Sequence, residues 1–172
     1  MPLLNIMIKF VFIVTSYGNS MQHLITKSAD PTKDSQIHYT LLLSLFFGGG
    51  FWLNAPISWF SNQIISPLYI LQLVVLYPFF EEVIFRGAIQ GELLKIKAFK
   101  KVTCRISLAN LTTSILFSAM HTFNHPIEIA ILTLIPSLLL GYFRERHLGI
   151  RTPIMLHMYF NGIYILSGWL TT

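Results

Sequence analysis

Long apolar segments, separated by short polar loops, run through almost the whole chain. A helix that crosses a membrane needs about 20 mostly apolar residues, with a range of roughly 17 to 25. Six segments meet or approach this requirement: residues 3–18, 39–60, 64–94, 106–123, 126–143 and 153–170. The pattern predicts an all-α fold, a polytopic membrane helical bundle of about six transmembrane helices, forming a single integral membrane domain over residues 1–172.

Two of these segments allow more than one interpretation. Residues 3–18 are short and contain Lys9, which also suits a signal-like apolar region, but no small-residue cleavage pattern follows and we favour a retained helix. As one helix, residues 64–94 would be about 45 Å long, against roughly 30 Å of hydrocarbon. Pro78 favours a kink within this segment. It is therefore either one long tilted helix or two helices that meet near Pro78.

The composition supports insertion into a membrane. Of the 172 residues, 53% are hydrophobic and 11% are charged, and the mean hydropathy is +0.62. A soluble domain carries roughly a quarter charged residues. Since so few charges leave too little polar surface for a compact chain in water, we interpret the chain as an integral membrane protein. Cys104 is the single cysteine, which excludes a disulfide within these residues and a thiolate metal cage.

The basic residues indicate an orientation rather than a nucleic-acid partner, although the net charge is +5. They cluster in two short loops: Lys95, Lys97, Lys100, Lys101 and Arg105 in one, and Arg144, Arg146 and Arg151 in the other. Two predicted spans separate the loops, so both fall on the same side of the membrane, and the positive-inside rule makes that side cytoplasmic. There the loops are expected to attract anionic lipid head groups and an acidic segment of a substrate.

Charged residues inside an apolar segment are the first sign of chemistry. The stretch PFFEEVIFRG places Glu81, Glu82 and Arg86 where water is scarce. Glu82 and Arg86 are four residues apart, so they share a helical face and are expected to form an ion pair. A packing pair of this kind leaves Glu81 without a partner. Paired carboxylates beside one arginine suit a general base or acid.

Three further polar residues are predicted at membrane depth: His121, His157 and Asn161. His157 and Asn161 lie one turn apart on one face of a helix. Counted inward from the basic loops, Glu81 and His121 lie at depths of about 21 and 24 Å, and His157 and Asn161 at about 9 and 15 Å. Each histidine or asparagine alone is also explained by a hydrogen bond between helices. Their joint occurrence with the charged residues favours one internal functional site.

Three blocks in this order carry a family resemblance. EEVIFR (81–86), FSAMH (117–121) and HMYFN (157–161) match the patterns EExxxR, FxxxH and HxxxN. In these blocks and their spacing the chain resembles the CPBP family of CAAX proteases and bacteriocin-processing enzymes, also called Abi proteins. The resemblance covers about residues 64–170. It implies a glutamate-dependent intramembrane endopeptidase that uses neither a metal nor another cofactor.

The resemblance also implies roles for the residues of the first two blocks. Glu81 would be the base that activates water, helped by His121. Glu82 and Arg86 would order the site. A carboxylate in a dry site is a stronger base than one in water, which suits the role of Glu81.

The third block would supply the oxyanion hole. His157 and Asn161 would hold the negatively charged oxygen of the tetrahedral intermediate, since an imidazole N–H and an amide N–H one turn apart can point at one atom. The resemblance implies a membrane-anchored peptide or protein tail as substrate, ahead of a prenylated one, because the chain is short for the family. It also implies a location in a prokaryotic cytoplasmic (inner) membrane.

Three other functions remain open from the sequence. A metal-dependent hydrolase would use the same residue types, but the chain has no HExxH helix. A non-catalytic membrane peptide-binding or immunity protein of the same family would bind a peptide with the same polar residues. A small transporter would use Glu81 and Glu82 as a proton relay, although six helices without an internal repeat do not favour one.

Overall fold

The computed structural model describes residues 34–54 and 66–171, which form five helices. They are α1 (residues 35–53), α2 (Pro67–Leu93), α3 (Leu108–His121), α4 (Ile127–Arg146) and α5 (Arg151–Thr171). Helix α1 comprises Ser35–Leu43, a wider π-helical segment Ser44–Gly48, and Gly49–Leu53. A 3₁₀ turn, Lys97–Lys100, and an antiparallel hairpin of β1 (Val102–Thr103) and β2 (Ile106–Ser107) connect α2 to α3.

The predicted all-α architecture is confirmed, but the count of six spans is not. Two helices in the described ranges, α2 and α4, are long and apolar enough to cross a membrane, with 27 and 20 residues. Helix α3 has 14 residues, a length of about 21 Å, which is shorter than the hydrocarbon core. The predicted span over residues 3–18 lies outside the described residues, as does part of the one over 39–60.

Helix α2 continues through Pro78, so the interpretation as one long helix is correct. Two π-helical segments, Leu71–Leu76 and Val83–Ile89, alternate with its α-helical segments. In the first of these the N–H of Tyr77 donates to the carbonyl of Gln72, five residues earlier. The wider turns absorb the proline without a break, and they set the direction in which the next turn, Tyr77–Glu82, presents its side chains.

Side chains cap the N-termini of three helices. The carboxylate of Asp34 accepts the N–H of Gln36 at the start of α1. Ser66 accepts the N–H of Tyr69 at the start of α2, directly before Pro67. Ser107 accepts the N–H of Asn110 at the start of α3. Since these side chains satisfy N–H groups that have no partner inside the helix, they define where each helix begins.

Helices α4 and α5 hold the bundle together. Helix α4 packs against α3 and α5, and α5 in turn packs against α1 and α2. A buried cluster joins α1, α4 and α5 through four side chains: Ile37, Leu140, Phe143 and Leu156. Many large apolar side chains point outward instead, among them Phe46, Leu68, Ile131 and Ile135. An apolar outer surface of this extent suits contact with lipid.

The two basic loops lie at the same end of the bundle, as predicted. Glu145, near the end of α4, accepts hydrogen bonds from Ser107 at the start of α3 and from Gln90 near the end of α2. Asp34 reaches this end as well. It accepts from Arg146 at 2.5 Å and lies 2.8 Å from Nε2 of His147.

Candidate active site

A fully buried ion pair forms the centre of the site. Nη1 of Arg86 donates to Oε1 of Glu82 at 3.0 Å, and neither side chain is exposed. Nη2 of Arg86 donates to the carbonyl and the hydroxyl of Ser137 on α4, at 3.0 and 2.7 Å. The ion pair predicted from the four-residue spacing is therefore confirmed. It is also tied to a third residue that the sequence did not indicate.

His157 links both glutamates of α2 to α5. Its Nδ1 lies 2.8 Å from Oε1 of Glu82, and its Nε2 lies 3.5 Å from Oε2 of Glu81. A carboxylate only accepts when it is ionised, so the hydrogen of the shorter contact belongs to Nδ1. The Glu82–Arg86 pair alone would leave Glu81 without a partner, but in the structure the other ring nitrogen of His157 faces it.

The two adjacent glutamates have different surroundings. Glu82 is completely buried and receives both Arg86 and His157. The side chain of Glu81 is 34% exposed. Of the two carboxylates, Glu81 is the one that an incoming molecule can reach.

Phe117 connects His121 to this group. The guanidinium carbon of Arg86 lies 4.6 Å from the centre of the Phe117 ring, which also packs edge-on against His157. The ring of His121 packs on the same phenylalanine with a centroid distance of 4.6 Å. Nδ1 of His121 lies 2.9 Å from the carbonyl oxygen of Phe117. Since a carbonyl only accepts, Nδ1 carries the hydrogen, and Nε2 of the neutral ring has a free lone pair.

Asn161 contacts a different part of α2. Its Nδ2 donates to the carbonyl of Leu73 at 2.9 Å. Tyr77 donates its N–H to the carbonyl of Gln72, five residues earlier. In the same register, the carbonyl of Leu73 would accept from the N–H of residue 78. Residue 78 is proline and has no N–H, so the carbonyl of Leu73 loses its partner within the helix. Asn161 supplies the missing donor from α5.

The structure thus brings together four of the six predicted site residues, Glu81, Glu82, Arg86 and His157, through direct contacts. The other two lie close by: His121 joins through Phe117, and Asn161 contacts α2 on the N-terminal side of the glutamates. Within residues 34–54 and 66–171, no three His, Cys, Asp or Glu side chains are grouped so that they could hold a metal ion.

Sequence reasoning matched Phe117 as the first residue of the FxxxH block but gave it no role in the site, and it missed Ser137. Phe117 stands four residues before His121, and this spacing on a helix was a signal that both share a face. Ser137 is a small polar residue in the apolar run LTLIPSLLLG. Nothing in its local pattern shows that it faces Arg86, 51 residues away in the chain.

Comparison with known families gives one match. The family described as "Type II CAAX prenyl endopeptidase Rce1-like" matches residues 62–163, which is more than half of the chain and includes all three blocks. Comparisons with curated proteins and with solved structures gave no match.

Proposed function

Because the chain belongs to the type II CAAX prenyl endopeptidase Rce1-like family, whose members are membrane-embedded endopeptidases, we propose that it hydrolyses a peptide bond. The family acts on membrane-anchored proteins. The proposed substrate is accordingly the tail of a membrane-anchored peptide or protein, and the proposed location is a prokaryotic inner membrane. The basic loops at one end of the bundle suit a tail that approaches along anionic lipid head groups.

One observation carries this proposal: an accessible glutamate stands beside a fully buried one that is held by an arginine and a histidine. Glu82 has no free access and is engaged by Arg86 and His157. Glu81 is partly exposed and faces the second nitrogen of the same imidazole. This division supports Glu81 as the reacting carboxylate and Glu82 as the residue that orients its surroundings.

In the proposed reaction, Glu81 takes a proton from a water molecule. The resulting hydroxide attacks the carbonyl carbon of the scissile bond. His121 orients the water, because its Nδ1–H is engaged by the carbonyl of Phe117 and its Nε2 can accept a hydrogen bond. Glu81 then gives the proton to the leaving amide nitrogen, so one water is consumed and the carboxylate is regenerated.

His157 and Asn161 are proposed to stabilise the negative oxygen of the intermediate. When both ring nitrogens of His157 carry hydrogen, Nδ1 donates to Glu82 and Nε2 is left to donate towards the side of Glu81. One N–H of the Asn161 side-chain amide donates to the carbonyl of Leu73, and the second N–H can donate to the oxyanion. Loss of one such donor typically lowers the rate by about 10²–10³.

The test is cleavage of co-expressed membrane tails by wild type, Glu81→Gln and Glu92→Gln at matched expression. Glu92 is the matched control because it lies on the same helix but is exposed and paired with Lys95. The tails include a prenylated CAAX sequence and an unprenylated transmembrane anchor. We expect Glu81→Gln to lower the rate by about 10²–10⁴, the usual contribution of a general base, while Glu92→Gln cuts like wild type and strong chelators have no effect.

Other outcomes would identify a different function. Equal cleavage by wild type and Glu81→Gln means that Glu81 is not the base. Activity that a chelator abolishes means that a metal takes part. If no tail is cut while wild type and Glu81→Gln both bind the tails, the site is a recognition site and the protein is a non-catalytic peptide-binding member of the family.

A further inference from the structure

Arg144, near the end of α4, is a buried arginine without a carboxylate partner. The sequence groups it with the second basic loop, but only 6% of the residue is exposed. Among the described residues it forms no ion pair. The carboxylate of the adjacent Glu145 is engaged by Gln90 and Ser107 instead. A buried charge is costly unless it is paired or hydrogen-bonded, so the role of Arg144 lies in the hydrogen bond that it makes.

The side chain of Arg144 contacts the backbone of α2. Its Nε donates to the carbonyl of Arg86 at 3.2 Å. Its Nη2 lies against the following turn, 3.4 Å from the position that a Cβ of Gly91 would occupy. The guanidinium therefore covers the turn of α2 that begins at Arg86, the residue whose own side chain pairs with Glu82.

The hydrogen-bond register of α2 changes within this turn. The N–H of Gln90 donates to the carbonyl of Phe85, five residues earlier, and this bond ends the π-helical segment Val83–Ile89. The N–H of Leu94 donates to the carbonyl of Gln90, four residues earlier. Between these two bonds the helix returns from the wider π-helical register to the ordinary α-helical one.

This return leaves one carbonyl without a partner in the helix. Between the two bonds lie the four carbonyls of residues 86–89, but only the three N–H groups of residues 91–93. The carbonyl of Arg86 is the one that receives a donor from another helix. The first π-helical segment of α2 is followed by a similar contact, in which Asn161 of α5 donates to the carbonyl of Leu73.

We propose that Arg144 is a positioning residue, whose hydrogen bond fixes the point at which the register of α2 changes and so holds Glu82 and Arg86 in the site. Without this donor, the unpaired carbonyl favours a shift of the register change along the helix. Each side chain that the change passes turns by about 100°, the rotation of one residue in a helix. Such a turn would carry Glu82 away from His157. The effect on hydrolysis rests on the proposed function, whereas the hold on the register does not.

Arg144→Met tests the hold on the register, because it removes the donor and keeps a long unbranched side chain. Arg151→Met is the matched control: it removes the same charge at the same end of the bundle, from an exposed residue. Hydrogen–deuterium exchange of the whole protein in lipid nanodiscs measures the opening of α2. We expect the amides of residues 86–93 to exchange about tenfold faster in Arg144→Met, the effect of one lost hydrogen bond, and those of residues 67–76 to be unchanged.

Three results of this experiment would overturn the proposal. Unchanged exchange in Arg144→Met would mean that its hydrogen bond does not hold α2. Exchange that is faster by the same factor in both parts of α2 would indicate a general loss of stability. The same local effect in Arg151→Met would assign it to the lost charge.

Deletion of Ala88 is a second test that needs no substrate. It removes one residue between the two bonds and leaves three carbonyls for three N–H groups, so Arg86 regains a partner within the helix. We expect Arg144→Met to lower the melting temperature of the full chain but not that of the deletion variant, and Arg151→Met to act equally in both. An equal loss from Arg144→Met in both chains would contradict the proposal.

Cleavage of tails separates the positioning role from the proposed function. If wild type cuts tails, Arg144→Met is expected to lower kcat about tenfold at unchanged KM, and Arg144→Lys, which keeps a donor, to recover part of the loss. If local exchange depends on Arg144 but wild type cuts no tail, Arg144 still fixes the register and its role in hydrolysis falls with the proposed function. If wild type cuts tails and Arg144→Met matches Arg151→Met in kcat and exchange, the enzyme stands and the positioning role is wrong.

Discussion

Nδ1 of His157 lies 2.8 Å from Oε1 of Glu82, the same oxygen that accepts the hydrogen bond of Arg86. One buried carboxylate oxygen therefore joins α5 to α2 and holds an imidazole and a guanidinium together. The arrangement leaves Nε2 of His157 directed towards Glu81. Of the adjacent glutamates, one is therefore fully engaged in the buried pair and the other is partly exposed.

Glu82→Gln is expected to destabilise the protein far more than Glu81→Gln. The substitution leaves Arg86 as an uncompensated buried charge, and removing one partner of such a pair costs about 3–5 kcal/mol. Glu81 is partly exposed and has one longer contact, so its neutralisation is expected to change the free energy of unfolding by less than about 1 kcal/mol. Denaturant unfolding in detergent measures both changes.

The double variant Glu82→Gln/Arg86→Met is the control for this prediction. It removes the charge that Glu82→Gln leaves behind, and should recover much of the lost stability. Equal stability of Glu82→Gln and Glu81→Gln would contradict a stabilising role of the buried pair.

Asn161 and Pro78 are expected to be coupled through the carbonyl of Leu73. Asn161→Leu leaves that carbonyl without its donor, at a cost of about 1–3 kcal/mol. Pro78→Ala restores an N–H that can reach the carbonyl, so the double variant should lose less stability than Asn161→Leu alone. A double-mutant cycle of unfolding free energies measures this coupling.

Activity in the same cycle separates the two roles of Asn161. If its amide also holds the oxyanion, Pro78→Ala rescues the stability of Asn161→Leu but not its rate of cleavage. If both are rescued together, Asn161 acts by holding α2 and makes no contribution as an oxyanion donor.

Gly141→Ala is expected to disrupt the packing of α3 on α4. A Cβ at this position would overlap the side-chain amide of Asn110, which donates to Leu138 and accepts from Ser114. Overpacking of this kind typically costs about 1–3 kcal/mol. Gly162→Ala is the matched control, since nothing lies within 4 Å of its added Cβ. Thermal unfolding that is lowered equally by both variants would indicate an effect of the backbone rather than of Asn110.

The contacts of Asp34 with Arg146, His147 and the start of α1 are expected to lose their stabilising effect in acid. The hydrogen bond from Arg146 holds the pKa of Asp34 well below its ordinary value of 3.8, and His147 and the N–H of Gln36 act in the same direction. A carboxyl with a lowered pKa in the folded state adds stability above its ordinary pKa, and this contribution is lost as the pH falls below it. Melting temperatures from pH 6 to pH 3 should therefore fall less for Asp34→Asn than for wild type. If the melting temperatures of Asp34→Asn and wild type fall equally with pH, the contacts of Asp34 contribute nothing to the acid sensitivity.

Local patterns were sufficient to predict the helices and the ion pair. Apolar segments as long as those found here satisfy their backbone groups as helices in an apolar environment, and a four-residue spacing places Glu82 and Arg86 on one face whatever surrounds them. The same reasoning placed both basic loops at one end, whereas the membrane depth of the polar residues stays a prediction. The count of six spans was not confirmed: hydropathy does not show where a helix ends, so α3 is shorter than its predicted span, and residues 3–18 lie outside the described residues.

Tertiary structure alone decided how the two glutamates differ. Glu81 and Glu82 are adjacent and identical in type, so no local pattern distinguishes them. The distinction arises because α5 places His157 against Glu82 and α4 places Ser137 against Arg86, whereas Glu81 stays partly exposed. Likewise, the sequence alone determined that Pro78 lacks an N–H, whereas only the packing of α5 decided that Asn161 would supply the missing donor, because hydrogen bonds between distant segments depend on how whole helices pack.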